Sequence, residues 1–95
     1  MKLLALEKEL PAVKEDLFIP HLKAEALRVW ELYQSGEILE IYFTHDRHTA
    51  VIILECEGRS QAEALLQSLP LVKAGLITFE IHVLDPYPGF ARLFL

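Results

Sequence analysis

Hydrophobic and polar positions alternate most cleanly from Ile77 to Leu84. Ile77, Phe79, Ile81 and Val83 fall on one side, and Thr78, Glu80, His82 and Leu84 on the other. A period of two marks a strand with one buried face. Pro70 is placed to stop a helix ahead of it, Gly75 to open the strand and Asp85-Pro86 to end it. One side of this strand is oily; the other carries groups capable of chemistry.

The same reading orders the rest of the chain. Lys2 to Leu6 is continuous in Leu and Ala, as expected of a central strand covered on both sides, and Leu10-Pro11 ends it. Between Pro11 and Pro20 lies a connection with one helical turn, whose Leu17, Phe18 and Ile19 are expected to lie down on the fold. Leu22, Ala26, Val29, Trp30 and Tyr33 then recur at helical spacing, and Gly36 sits where a helix would end. Ile38 to Thr44 is a second strand, with Leu39, Ile41 and Phe43 alternating against Glu40 and Tyr42. The turn His45-Asp46-Arg47-His48 joins it to a β-branched third strand, Ala50 to Cys56, as a hairpin. Gly58 breaks that strand, and Ser60-Gln-Ala-Glu63 has the form of a capping box opening a helix with the stripe Ala62, Leu65, Leu66 and Leu69.

The resulting order, β-α-β-β-α-β, predicts a single ferredoxin-like α+β domain over residues 1–95: a four-stranded antiparallel sheet with both helices on one face. The helix-free face carries Glu40, Tyr42, Glu80 and His82 among apolar neighbours. It is too oily for open water and too polar for a dry core. Two such faces closing on each other around a cavity would satisfy both demands.

The element order, the length and the motif Leu65-Leu-Gln-Ser-Leu-Pro-Leu71 ahead of a final strand resemble the muconolactone isomerase-like group of dimeric α+β barrels, best from Gly36 to Pro88. After Gly36 this chain reads Glu40-Ile-Tyr-Phe43; it keeps that family's strand aromatic at Tyr42 and lacks the family's His and Arg there. The resemblance implies a homodimer or larger homo-oligomer and isomerase-like proton transfer on a small organic molecule.

Composition narrows the function classes. At 53% apolar residues and a mean hydropathy of +0.28, the chain is oily for its size, which self-association would relieve. Nine Lys plus Arg against fourteen Asp plus Glu give a formal charge of −5, with no basic run interleaved with aromatics, so nucleic acid is not an expected partner. The apolar start, Met1 to Leu6, is too short for a signal peptide and no run reaches the ~20 residues that span a bilayer, so the expectation is a cytoplasmic protein that is not in the membrane. Cys56, the one cysteine, lies in an apolar run and reads as a buried, inert thiol.

Glu80 and His82 emerge together from one strand, and Glu40 and Tyr42 from another. In an enclosed site, His82 or Glu80 would transfer the proton and Tyr42 would orient the substrate. The plainer alternative is a set of paired polar groups plugging a subunit interface, which makes the protein a non-catalytic assembly or ligand-binding module. His45 and His48 offer only two metal ligands with Arg47 between them, so a solvated turn is preferred to a metal site. Trp30 and Tyr33 read as core rather than pocket lining. No phosphate loop, activated nucleophile or cofactor fingerprint is present, and no cofactor is expected. Finally, Pro86 to Leu95 cannot extend a strand smoothly, yet Tyr87, Phe90, Leu93, Phe94 and Leu95 make it strongly apolar. Burying three of these side chains is worth about 5 kcal/mol before ordering costs, so the segment is expected to dock as an arm on a neighbouring subunit, with its own helices as the alternative receptor.

Overall fold

Strand β1 (Lys2–Glu9) pairs on both sides, with β3 (Ala50–Glu55) and β4 (Ile77–Leu84), and β2 (Ile38–Phe43) pairs outside β3. This sheet, seen in a computed structural model that describes residues 1–10 and 13–95, has the order β2-β3-β1-β4 with every neighbour antiparallel. Helix α1 (Leu22–Gln34) connects β1 to β2, and α2 (Arg59–Gln67) and the short α3 (Pro70–Lys73) connect β3 to β4. The α+β ferredoxin-like order predicted from the periodicities is therefore the observed one. β1 runs past the predicted Leu6 and ends at Glu9, just before Leu10; the first residues of the connection, 11 and 12, lie outside the described residues.

Alternation decides which side is dry. Leu3 and Ala5 of β1, Ile52 and Leu54 of β3 and Ile38 of β2 join Leu32 of α1 with Ala62, Leu66 and Leu69 in one buried cluster. Val29 and Leu65 pack against it. A smaller cluster of Leu71, Leu76 and Ile77 takes Val13 and Phe18 from the connection before α1. Within that connection the expected single turn is two 3-10 turns, Glu15–Leu17 and Ile19–His21. Only Phe18 lies down; Leu17 and Ile19 are exposed.

Both helix-to-strand transitions use one device. After α1, Gly36 adopts φ +85° while its N–H donates to the Tyr33 carbonyl and that of Glu37 to the Leu32 carbonyl. After α3, Gly75 adopts φ +74°, its N–H donating to Val72 and that of Leu76 to Leu71. This paired closure needs a left-handed residue, which glycine supplies without a Cβ penalty.

Three local expectations are corrected. Pro70 does not end α2, which stops at Gln67; it occupies the first turn of α3, where its missing N–H costs nothing, and extended Leu69 precedes it. The capping box does not form, because α2 already begins at Arg59 with Gly58 as its cap, and the Gln61 side chain instead accepts from the Glu57 N–H at 2.7 Å. The stripe of α1 is rotated. Its inward side carries Glu25, Arg28, Val29 and Leu32, whereas Trp30 and Tyr33, expected in the core, are 54% and 50% exposed. Two polar tethers hold that rotation: Arg28 Nε donates to Ser68 Oγ at 2.9 Å, and the Leu71 N–H donates to Glu25 Oε1 at 2.9 Å.

Leu54 is fully buried between β1 and β2. Leu54→Ala should lower unfolding free energy by about 2–5 kcal/mol in urea titration. Trp30→Ala, measured where the chain is monomeric, should cost less than about 1 kcal/mol. A Trp30 effect as large as that of Leu54 would contradict the outward rotation of α1.

Candidate functional site

Strand register places all four sequence-selected residues on the helix-free face but does not bring them together. One row across the sheet runs Glu40, Ile53, Leu4, His82, and the next runs Tyr42, Val51, Leu6, Glu80. Three strand spacings, about 14 Å, separate the Glu40/Tyr42 pair from the Glu80/His82 pair. Between them lies a half-buried apolar stripe of Leu4, Leu6, Val51 and Ile53. A β-bulge between Ile38 and Glu40 sets the parity that puts Glu40 and Tyr42 on this face. At the far edge, His82 Nε2 lies 3.6 Å from Glu80 Oε2, with both side chains about half exposed at 48% and 47%. Such a pair is an ion pair when the imidazole is protonated, and its exposure makes it weak.

An enclosed space lies on the helix-covered side of the sheet. Because α1 is tethered at Glu25 and Arg28, its first two turns stand off the sheet and leave a cavity of about 370 Å³. Leu22, Ala26 and Val29 form its roof, Ala50, Ile52, Ile77 and Phe79 its floor, and β2 from Ile41 to Phe43 one wall. Two carboxylates, Glu7 and Glu25, are the charged groups in this apolar lining. Each has one oxygen fixed by a backbone donor: Ala50 N–H to Glu7 Oε1 and Leu71 N–H to Glu25 Oε1, both 2.9 Å. Their second oxygens meet no donor among the described residues and can accept from a ligand. Burial pushes the Glu25 carboxyl above its ordinary value; the Leu71 amide counters this in part, the charge of Glu7 adds to the rise, and His21 opposes it.

Neither carboxylate was selected from the sequence. The signal was available, since Glu7 continues the buried parity of Leu3 and Ala5, and Glu25 shares the helical stripe of Val29 and Leu32. A carboxylate on an apolar face asks for a partner.

A second, shallower depression of about 510 Å³ adjoins the cavity, between the outer side of α1 and the free edge of β2. The two share Ala26, Val29, Ile41 and Tyr42. Here the outward-turned Trp30 and Tyr33 stack at 6.1 Å.

The histidine turn is built by threonines. Thr44 and Thr49 are joined hydroxyl to hydroxyl at 2.9 Å, and His48 takes a left-handed φ of 53° with its N–H bonded to the Thr44 carbonyl. No group of three or more metal-ligating side chains occurs among the described residues. Cys56 is half-buried rather than buried, packs against the core, and donates weakly to the Gly58 carbonyl at 3.5 Å. No described helix is long and apolar enough to cross a membrane.

No protein-family model matches the chain, and no curated protein sequence matches it. Among solved structures, the fold is similar to that of 5-chloro-2-hydroxyhydroquinone dehydrochlorinase (TftG) from Burkholderia phenoliruptrix AC1100, in complex with 2,5-dihydroxybenzoquinone. The TM-score is 0.73 over 94% of this chain and 98% of that one, at 18% sequence identity. What is shared at that identity is the fold, over nearly the whole of both chains.

Proposed function

We propose that this protein is a homo-oligomeric binder of a small, hydroxylated organic molecule, held in the cavity between α1 and the sheet. The observation that carries the reading is the pairing, in one apolar cavity, of two carboxylates that each keep an oxygen free of donors among the described residues. The cavity volume lies in the range of small-molecule sites. Apolar walls suit a flat ring, and carboxylate acceptors suit its hydroxyl groups. The likeness to TftG supports the ligand class, because the 5-chloro-2-hydroxyhydroquinone of that protein's name and the 2,5-dihydroxybenzoquinone in its complex are hydroxylated rings.

Glu25 is the group for acid/base work in this reading. A carboxyl whose proton affinity is raised by burial can take a proton from one carbon of a bound ring and return it to another, an isomerase-like transfer. The helix-free faces of two copies would close on each other over the Leu4, Leu6, Val51, Ile53 stripe, as in dimeric α+β barrels of the muconolactone isomerase-like kind. A cytoplasmic setting accords with this reading.

A second reading places the chemistry on the helix-free face, favoured by the 3.6 Å approach of His82 to Glu80. There His82 or Glu80 transfers the proton, and Tyr42 of the facing copy orients the substrate across the interface.

Titration of hydroquinone and hydroxyhydroquinone into the protein, followed by calorimetry and amide chemical shifts, separates these readings. Binding in the α1 cavity should perturb Ala50 and Ile52, Glu25→Gln should weaken it at least tenfold through loss of a charge-assisted hydrogen bond, and His82→Gln should leave it unchanged. Loss with His82→Gln and not with Glu25→Gln selects the helix-free face. Absence of binding sinks both and leaves the assembly module.

The raised proton affinity of Glu25 also gives a sign to pH dependence. The folded chain holds this proton more tightly than the unfolded one, so ionisation opposes folding. That contribution to stability is fully present below the ordinary glutamate value, about 4.3, and is lost as pH rises through it toward the raised value. Thermal melts across this window should show Glu25→Gln falling less steeply with pH than the parent protein. Parallel slopes would show that Glu25 is not the buried titrating group.

A further inference from the structure

Residues 86–95 leave β4 as an arm that finds no partner among the described residues of its own chain. Phe90 is 68% exposed, Leu93 78% and Phe94 87%, so docking on the chain's own helices is not what the structure adopts. The molecule measures 57 Å along its longest axis against 28 and 22 Å across.

The arm is nonetheless shaped. Gly89–Phe94 forms a 3-10 turn. The Tyr87 ring folds over Gly89, where a Cβ would collide with it, and meets the edge of Phe90 at 4.9 Å. Its apolar side chains are therefore held on a small scaffold before any partner arrives, which reduces the ordering cost of docking.

We infer that the receptor for this arm is the α1/β2-edge groove of a neighbouring copy, so that copies join head to tail. Three observations meet there. The groove is apolar and aromatic, walled by Trp30 and Tyr33, whose stacked rings stand half exposed as one patch. Lengths agree: six residues of 3-10 turn rise about 12 Å, and α1 from Ala26 to Tyr33 rises about 10 Å. Charges agree as well, since Arg92 is the one charged side chain of residues 86–95 and Glu40 the one charged residue lining the groove.

Arm and groove also lie on opposite edge strands, β4 and β2. A neighbour's arm reaches the groove without crossing the sheet that the chain's own arm would have to round. Because the groove shares residues with the α1 cavity, a docked arm would cover the mouth of that cavity. The cover rests on the ligand reading above; the docking does not, and is read without ligand.

Trp30 is the only tryptophan and lies in the groove, so its emission reports docking directly. The full chain should emit at shorter wavelength when concentrated and shift to longer wavelength on dilution. Phe94→Asp should emit at the longer wavelength throughout. Arg92→Glu should move the dilution midpoint to about tenfold higher concentration, and Arg92→Glu combined with Glu40→Arg should move it back. Emission in Phe94→Asp identical to the parent at every concentration overturns the proposal. So does a short-wavelength emission that Phe94→Asp abolishes in a chain that light scattering shows to be monomeric, since that is an arm folded onto its own groove.

Discussion

Everything in this molecule follows from a mismatch between a four-stranded sheet and the helices available to cover it. Strand residues alternate between two faces, and both crossover segments pack on the same one. Leu3, Ala5, Ile52 and Leu54 are sealed from water, while their apolar neighbours Leu4, Leu6, Val51 and Ile53 are only partly buried. The central strands β1 and β3 are thus apolar on two faces in a chain that covers one. The association proposed above would cover that second face.

The helix layer is itself incomplete, for a different reason. Helix α1 is positioned by polar bonds from its inward side as much as by packing: Glu25 reaches the backbone of α3 and Arg28 reaches Ser68. These bonds satisfy groups that could not be left unpaired at a half-buried position. They also fix the helix where Val29 and Leu32 touch the sheet and Trp30 and Tyr33 do not. Cavity and groove are the two sides of that one rotation, which is why they share residues and why carboxylates line the former.

Much of the fold was legible in the sequence because period and punctuation agreed. The alternation of β4, the run of β1, the glycine after α1 and the hairpin at His45–His48 each place an element near its observed bounds. What failed was finer chemistry. Ser60 and Glu63 fit a capping box by spacing, but Gly58 had already started the helix. Pro70 reads equally as a stop or a start, and only the extended Leu69 decides between them. The α1 stripe was misjudged by counting hydrophobes alone, since Glu25 and Arg28 outweigh Trp30 in setting the inward side. At the site, face could be read and distance could not. Parity puts Glu40, Tyr42, Glu80 and His82 on one side, but only strand order reveals that they stand at opposite edges.

The bulge between Ile38 and Glu40 acts on β2 as a frameshift acts on a message. One residue, Leu39, is passed over by the partner strand, and every side chain after it is read in the other frame. Ile38 and Ile41 thereby share the covered face despite odd spacing, and Glu40 is released to the rim. The groove beside Trp30 exists in its present form because of that uncounted residue. Length in this strand is consequently constrained more tightly than composition: the edge can absorb changes of side chain at Leu39 with modest effect, but the loss or gain of one position would exchange the inside and outside of the whole strand.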